Sequence, residues 1–272
     1  MLKDITIGQY IPGRSPIHRM DARIKIILTL VYILVLFMLK NPLSYLVFAV
    51  YTATMIMISG VPVKYVLRGI RAMLWIFIFT AVLNLFLTPG ETLVSIPLYR
   101  FSLRITHEGA RLAAFLILRL VFLITGSSVL TLTTSPLQLT DGIEQLLNPL
   151  RRIKVPAHEI AMMMSIAIRF IPILSEETEK IMNAQKARGA DFETGGILKR
   201  AKAMIPILVP LFISAFRRAD ELAEAMEARC YRGGEGRTKM KESRITAYDV
   251  RACVIFAVCM VILAVIEIVI EI

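Results

Sequence analysis

The stretch that decides the fold is residues 160–189, IAMMMSIAIRFIPILSEETEKIMNAQKARG. Residues 160–174 are apolar apart from Ser165 and Arg169, whereas residues 176–188 are strongly polar. Gly189 is well placed to end a helix, because glycine readily adopts the left-handed backbone that often follows a helix C-terminus. The pattern predicts one long helix over 157–188, with an apolar half among lipid or other helices and a polar half in water.

A second stretch, residues 197–232, repeats this plan. It has a basic start, an apolar part at 203–216 and a charged end that finishes in Arg229, before Gly233 and Gly234. Each apolar half is about 15 residues long, which is short of the roughly 20 that a membrane span requires. Prolines interrupt both halves, at Pro172, Pro206 and Pro210. We therefore expect two helices at the membrane interface or against other helices, preceded by a shorter helix at about 137–149.

The rest of the chain has the composition of a membrane protein. Of its 272 residues, 56% are hydrophobic, and the mean hydropathy is +0.66. Apolar length predicts five spans, at about 24–39, 43–60, 66–87, 110–132 and 248–268. Segment 92–105 contains β-forming residues and is expected to be an outside loop with extended character. The predicted fold class is an all-α polytopic membrane protein.

Three parts of the chain follow from these predictions. Residues 1–134 hold the N-terminal segment and the first four spans, residues 135–246 form a cytoplasmic module with the two long helices, and residues 247–272 form the last span.

Basic residues outnumber acidic ones by 32 to 21, and their positions explain this excess. They precede the first span, separate the second from the third, and are frequent in 135–246. Cytoplasmic segments of membrane proteins carry such an excess of lysine and arginine. The sequence therefore predicts a cytoplasmic N-terminus and a cytoplasmic module, and it argues against a nucleic-acid partner.

The two long helices end alike, in Ala187-Arg188-Gly189 and in Ala228-Arg229-Cys230. An arginine in the last helical turn is favoured by the negative end of the helix dipole, and its guanidinium can pair with a carboxylate through two hydrogen bonds. The duplication indicates two similar protein partners. The alternative is that Ala-Arg-Gly is only a common way to end a helix, and the spacing alone leaves both interpretations open.

Signs of chemistry are absent from the sequence. No Gly-Lys pair is present, so the phosphate-binding P-loop of an ATPase is missing. His158-Glu159 resembles the start of a zinc-protease motif, but methionines stand where the second histidine would be. We expect no enzyme activity, no cofactor and no metal. Arg119 lies within a predicted span, and we expect it to pack against Asn84 or a backbone carbonyl rather than to line a transport path.

Three segments together resemble a known family: SPIHRMDARIK (residues 15–25), KARG (186–189) and RADELAEAMEARCYRGG (218–234). They are similar to the transmembrane (T) components of energy-coupling factor (ECF) transporters, of the vitamin type with a shared module. The resemblance implies a scaffold in the plasma membrane of a prokaryote. Its partners would be two ABC ATPases, forming a heterodimer, and a substrate-binding S component, and it would couple ATP hydrolysis to uptake.

The resemblance also implies roles for particular residues. The two helix ends would dock on the ATPases, through Ala187, Arg188, Gly189, Ala228, Arg229 and Cys230. The apolar halves would contact the S component, through Met162, Met163, Met164, Ile168, Met204 and Leu208. The flexible methionines suit a surface that accepts several partners, although they are equally well explained as ordinary core residues. Cys230 stands where the family motif has glycine, so we expect that helix to end slightly later; Ala22 stands where the family often has proline.

Three alternatives remain at this point. The chain could be the T component of a dedicated cobalt or nickel importer. It could be a conventional ABC permease, although the Ile-x-Leu-Pro sequence of that coupling loop is absent. It could be a membrane-embedded enzyme, which would need converging His, Asp or Glu side chains within the spans.

Overall fold

The computed structural model describes residues 10–90, 92–98, 101–153, 156–192, 194, 196–233 and 245–271. Helices dominate this part of the chain, and one short antiparallel hairpin interrupts them. In chain order the elements are α1 Pro16–Arg19, α2 Ala22–Met38, α3 Pro42–Ser59, α4 Val63–Ala72, α5 Leu74–Leu87, β1 Thr92–Leu98, β2 Phe101–Thr106, α6 His107–Thr133, α7 Pro136–Leu147, α8 Ala157–Ala187, α9 Ile197–Ala228 and α10 Ala247–Glu271. This is the all-α polytopic membrane fold predicted from the sequence.

Most predicted helices are confirmed to within a few residues. Among the described residues, α3, α6, α8 and α10 are long and apolar enough to cross a membrane, and the bent pair α4–α5 is a fifth candidate. The first predicted span is α2, whose 17 residues measure about 26 Å at 1.5 Å per residue. Apolar length in the sequence was therefore a good guide to where the helices lie.

The third predicted span, 66–87, was wrong as a single straight helix. It is broken at Met73 into α4 and α5, whose axes differ by 55°. Three cations within the ten residues of α4 favour contact with water or headgroups, because charged side chains are costly in the hydrocarbon core. The apolar α5 has no such restriction, so the two segments take different directions.

The prediction that the apolar half of α8 is too short to span a membrane was also wrong. An 18-residue stretch of this 31-residue helix is apolar enough to cross. The stretch 157–174 is apolar enough because the apolar side chains from Ile160 onward outweigh the polar His158 and Glu159 of the first helical turn.

The extended character expected for 92–105 is confirmed by the hairpin of β1 and β2. Its register pairs Val94 with Ile105 and Leu98 with Phe101, with one irregularity next to Thr92. The hairpin connects α5 to α6.

The chain divides into two compact units. The first, called here the bundle, comprises residues 8–142 and 243–272, and the second, called here the coupling unit, contains residues 143–242. The sequence analysis divided the chain into three functional parts, with boundaries after residues 134 and 246, and that division stays a prediction.

The core of the bundle is built on Tyr32 of α2. Its hydroxyl lies 3.1 Å from Thr52 Oγ1 and donates to the Phe122 carbonyl oxygen at 3.0 Å. The Tyr32 and Phe48 ring centroids are 4.6 Å apart. Only glycine fits at Gly126 of α6, because a Cβ atom there would overlap the Tyr32 ring. This close approach lets α2 and α6 pack around the buried Tyr32 hydroxyl, which has hydrogen-bond partners on both sides.

Buried polar groups join the starts of α2 and α10. The Asp249 carboxylate, 1% exposed, accepts from Asp21 N at 2.8 Å, and from Thr246 N and Oγ1 at 2.6 and 2.7 Å. Lys25 Nζ donates to the Thr133 carbonyl oxygen at 2.9 Å, at the end of α6. Asp21 and Lys25 belong to the segment 15–25 that carries the family resemblance, so much of that segment serves to join three helices.

Candidate functional site

The two long helices of the coupling unit end in the same hydrogen-bonded arrangement. At the end of α8, Gly189 N donates to the Lys186 carbonyl oxygen at 2.9 Å, and Ala190 N donates to that of Gln185 at 3.0 Å. Gly189 has φ +86°. This pair of bonds around a left-handed residue is a Schellman motif, which satisfies carbonyl groups that the helix leaves free.

The end of α9 matches this arrangement residue for residue. Cys230 N donates to the Glu227 carbonyl oxygen at 2.8 Å, and Tyr231 N donates to that of Met226 at 3.0 Å. The prediction that Cys230 delays this helix end was wrong. Cys230 itself takes the left-handed backbone, with φ 56°, because the two bonds stabilise the turn sufficiently to accommodate a side chain there.

Both candidate docking triplets lie at the surface. Arg188 and Arg229 each occupy the last position before the left-handed residue, and both side chains are exposed. In the part of the chain that the structure describes, neither guanidinium forms an ion pair. Each helix therefore presents a cation at its negative end, free to meet a carboxylate of another molecule. The residues predicted to form these ends are all exposed: Ala187, Arg188, Gly189, Ala228, Arg229 and Cys230.

A cavity of about 540 Å³ adjoins the second helix end. Its walls include Met162 and Ile166 of α8, Met226 of α9, and the backbone turn that follows Arg229. Met162, predicted to contact an S component, thus lies beside the second candidate docking triplet.

A polar chain connects the second helix end to the start of α8. Tyr231 Oη lies 3.4 Å from His158 Nε2, and His158 Nδ1 lies 3.0 Å from Glu144 Oε1 of α7. In the neutral tautomer with the proton on Nδ1, the imidazole donates to the carboxylate and accepts from the tyrosine hydroxyl. At the first helix end Ala190 occupies the position of Tyr231 and has no polar side chain, so the two ends differ in how they are held.

This role of His158 was missed by the sequence analysis, which considered the residue only as a zinc ligand. No group of three or more His, Cys, Asp or Glu side chains that could hold a metal ion is found in the described residues. The spacing of 14 residues to Glu144 and 73 to Tyr231 gives no local signal, because the contacts depend on how α8 and α9 cross.

The predicted S-component surface is partly exposed. Met163, Met204 and Leu208 are 59%, 50% and 43% exposed, while Met162, Met164 and Ile168 are half-buried. The exposed apolar surface of α9 extends further than predicted, through Phe212 and Phe216 at 61% and 69% exposure. The sequence could have indicated this larger surface, because both phenylalanines lie in the apolar part, residues 203–216.

Arg119 of α6 binds a backbone carbonyl, as one of the two predicted alternatives required. Its Nη2 donates to the Leu39 carbonyl oxygen at 3.2 Å, and its guanidinium lies 5.4 Å from the centroid of the Phe37 ring. The other alternative was wrong: in the described part of the chain Arg119 forms no hydrogen bond with Asn84, whose Nδ2 donates to the Thr80 carbonyl oxygen at 2.8 Å. Arg119 therefore holds the end of α2 against α6.

Comparison with known proteins gives the family. The model of a family described as CbiQ, cobalt transport protein, matches residues 13–240. The chain is 54% identical over 267 residues to the energy-coupling factor transporter transmembrane protein EcfT of Clostridium kluyveri, which covers 97% of this chain and 98% of that protein. The chain belongs to the CbiQ family.

Other relatives of this CbiQ-family chain carry the same name. The EcfT protein of Thermosediminibacter oceani is 54% identical over 251 residues, covering 92% of this chain and 93% of that protein. The EcfT protein of Bacillus subtilis is 45% identical over 251 residues, with the same coverage. The predicted resemblance is confirmed: this CbiQ-family chain is a transmembrane component of an energy-coupling factor transporter.

Proposed function

We propose that this chain is the transmembrane scaffold that couples ATP hydrolysis by two ABC ATPases to substrate uptake through an S component. The observation that carries the proposal is the pair of matching helix ends. Two helices of 31 and 32 residues each finish in a Schellman motif that presents an exposed arginine, which forms no ion pair with the described residues. One such end is a common helix terminus, but two matching ends in one unit suit two similar partners, such as the halves of an ATPase heterodimer.

The chemistry of each end favours an acidic groove on the partner. Arginine at the negative end of a helix dipole is stabilised there, and its planar guanidinium forms two parallel hydrogen bonds with a carboxylate. The neighbouring residues, Ala187 and Ala228, are small and let another backbone approach closely. Arg188 and Arg229 would thus each anchor one ATPase, and Gly189 and Cys230 would set the direction of the turn beside them.

The exposed apolar surface of α9 is the best candidate for the S-component contact. Met204, Leu208, Phe212 and Phe216 are all at least 43% exposed, and α9 also contains Pro206 and Pro210. Together with Met162, Met163, Met164 and Ile168 of α8 they offer flexible apolar side chains to another helix bundle. Vitamins bound by exchangeable S components are the proposed substrates.

A second candidate is a dedicated cobalt or nickel importer. It is favoured by the description of the family, cobalt transport protein. In both cases the substrate is held by the S component, and the role of this chain is the same.

The proposed orientation places the N-terminus and the coupling unit in the cytoplasm of a prokaryotic cell. Lysine and arginine before α2, in α4 and in the coupling unit support it, because short cytoplasmic segments carry this excess. ATP is available on that side, where the two helix ends would meet the ATPases.

The experiment that tests the proposal reverses the charge at each helix end. We expect Arg188→Glu and Arg229→Glu each to abolish ATP-driven uptake, because removing one member of a buried ion pair costs about 3–5 kcal/mol. Arg200→Glu is the matched control, since it changes an exposed arginine near the start of α9 and should leave uptake unchanged. Uptake at the wild-type rate in the double variant would overturn the docking proposal.

A further inference from the structure

The short helix α4 presents opposite faces of different character. Its inner side packs in the bundle, where Val66 is 3% exposed in an apolar cluster with Val61 and Leu132. Lys64, Arg68 and Arg71 follow a spacing of four and three residues, which puts them in one stripe on a helix. All three are exposed, and the stripe lies opposite the buried side.

These cations have no acidic partner among the residues that the structure describes. In the described part of the chain none of the three takes part in an ion pair. The sequence between Asp21 and Glu91 contains no acidic residue at all. Three aligned positive charges with no counterion in the described part of the chain form a surface that attracts anions.

The position of α4 limits which anions can reach it. α4 begins four residues after α3 ends, and α5 follows it at an angle of 55°. Both neighbours are apolar helices of the membrane-spanning part, so α4 lies where one span ends and the next begins. At this level the abundant anions are phospholipid headgroups.

Exposed apolar side chains flank the stripe. Val63 and Leu67 are 53% and 56% exposed on one side, and Tyr65 is 42% exposed on the other. The Arg68 guanidinium lies 5.5 Å from the centroid of the Tyr65 ring. Cations beside exposed apolar residues and an aromatic ring are typical of helices that lie in the membrane interface.

We propose that α4 is a binding surface for anionic phospholipids. The phosphate of the headgroup contacts Lys64, Arg68 and Arg71, and the acyl chains lie along Val63 and Leu67. The surface fixes the bent pair α4–α5 at the level of the headgroups, so the bend at Met73 is retained. The proposal is independent of the ATPase docking proposed above, because it concerns the bundle and a lipid partner.

The test counts the lipids that remain on the purified full-length chain. Wild type and the triple variant Lys64→Gln, Arg68→Gln, Arg71→Gln are reconstituted in nanodiscs with equal amounts of phosphatidylglycerol and phosphatidylcholine, released into mild detergent and analysed by native mass spectrometry. We expect wild type to retain phosphatidylglycerol in about fivefold preference or more, and the triple variant to retain both lipids nearly equally. A phosphatidylglycerol preference that survives in the triple variant would overturn the proposal.

A matched control separates the stripe from overall charge. Lys199→Gln, Arg200→Gln, Lys202→Gln removes the same number of charges from exposed positions of α9 and should keep the preference; an equal loss in this control would also overturn the proposal. A diazirine photo-crosslinker at Leu67, in an otherwise native chain in cell membranes, gives a test that does not depend on folding of the triple variant. We expect phospholipid adducts, and an adduct with a protein instead would show that the surface has another occupant.

Discussion

At the scale of single residues, the two helix ends share a left-handed backbone, although only one of them has the glycine that favours it. Gly189 and Cys230 hold the same place in matching Schellman motifs, with φ values of 86° and 56°. For a residue with a Cβ atom, the left-handed conformation costs about 1–2 kcal/mol. The end of α9 therefore carries a conformational cost that the end of α8 avoids.

Exchanging these residues should have opposite effects on stability. We expect Cys230→Gly to raise the free energy of unfolding of the coupling unit by about 1 kcal/mol, and Gly189→Ala to lower it by a similar amount. Thermal unfolding of the purified chain in detergent, followed by circular dichroism, measures both. Cys253→Ala, in the apolar α10, controls for loss of a thiol; a lower unfolding midpoint for Cys230→Gly would show that the cysteine side chain stabilises this turn.

At the scale of helices, the second helix end is tied to two other elements through the side chain of Tyr231. Tyr231 Oη lies 3.4 Å from His158 Nε2 at the start of α8, and His158 lies 3.0 Å from Glu144 of α7. The shorter contact, with a carboxylate, is the stronger of the two. The tie should restrain the turn beside Arg229, whereas Ala190 gives the turn beside Arg188 no such restraint.

Removing the tie should loosen only one of the two ends. We expect Tyr231→Phe and His158→Ala to raise the amide hydrogen-exchange rates of residues 229–232 several-fold, since a hydrogen bond contributes about 0.5–1.5 kcal/mol. Residues 188–190 serve as the control within the same molecule and should exchange as in wild type. Equal acceleration at both ends would mean that the substitutions unfold the unit generally, and no acceleration would mean that the tie does not restrain α9.

The positions of helices could be predicted from the sequence far better than their contacts. Apolar length and glycine placement locate α3, α6, α9 and α10, because both depend on neighbouring residues. The bend at Met73 could not be located in this way, since no proline or glycine stands there and the bend arises from the different surroundings of α4 and α5. The sequence left Asn84 or a backbone carbonyl as the partner of Arg119, and the choice of the Leu39 carbonyl depends on how α6 packs against α2.

The same distinction holds for the candidate site: residues with a local sequence signal could be predicted, and contacts between distant residues could not. Arg188 and Arg229 were singled out because the two helix ends have similar local sequences, which is information that the chain displays along its length. The left-handed Cys230 and the partners of His158 depend on hydrogen bonds between residues that sequence reasoning did not connect. Similarly, Asp249 gave no signal, although its carboxylate accepts three hydrogen bonds, of which the one from Asp21 N joins α10 to the start of α2.

At the scale of the whole molecule, the distribution of charge predicts the orientation in the membrane. Single cysteines can be placed in a cysteine-free chain at exposed positions of the coupling unit, such as Glu176 or Lys202. These cysteines should react with a membrane-impermeant maleimide only after the cells are permeabilised. Cysteine at Asn41, in the turn between α2 and α3, should react in intact cells, because this turn lies at the opposite end of α2 from the basic N-terminal segment. Labelling of the coupling unit in intact cells would reverse the topology.

The central claim is that one copy of this chain holds two ATPases and an S component together. Its most direct test is the native mass of the complex that copurifies with a tagged chain from its own membranes in mild detergent, with the subunits identified by mass spectrometry. We predict one copy of the chain with two ATPase subunits and one small membrane protein, and loss of the ATPases from the Arg188→Glu, Arg229→Glu double variant. Recovery of the chain alone, as a dimer of itself, or with ATPases that the double variant retains would contradict the account.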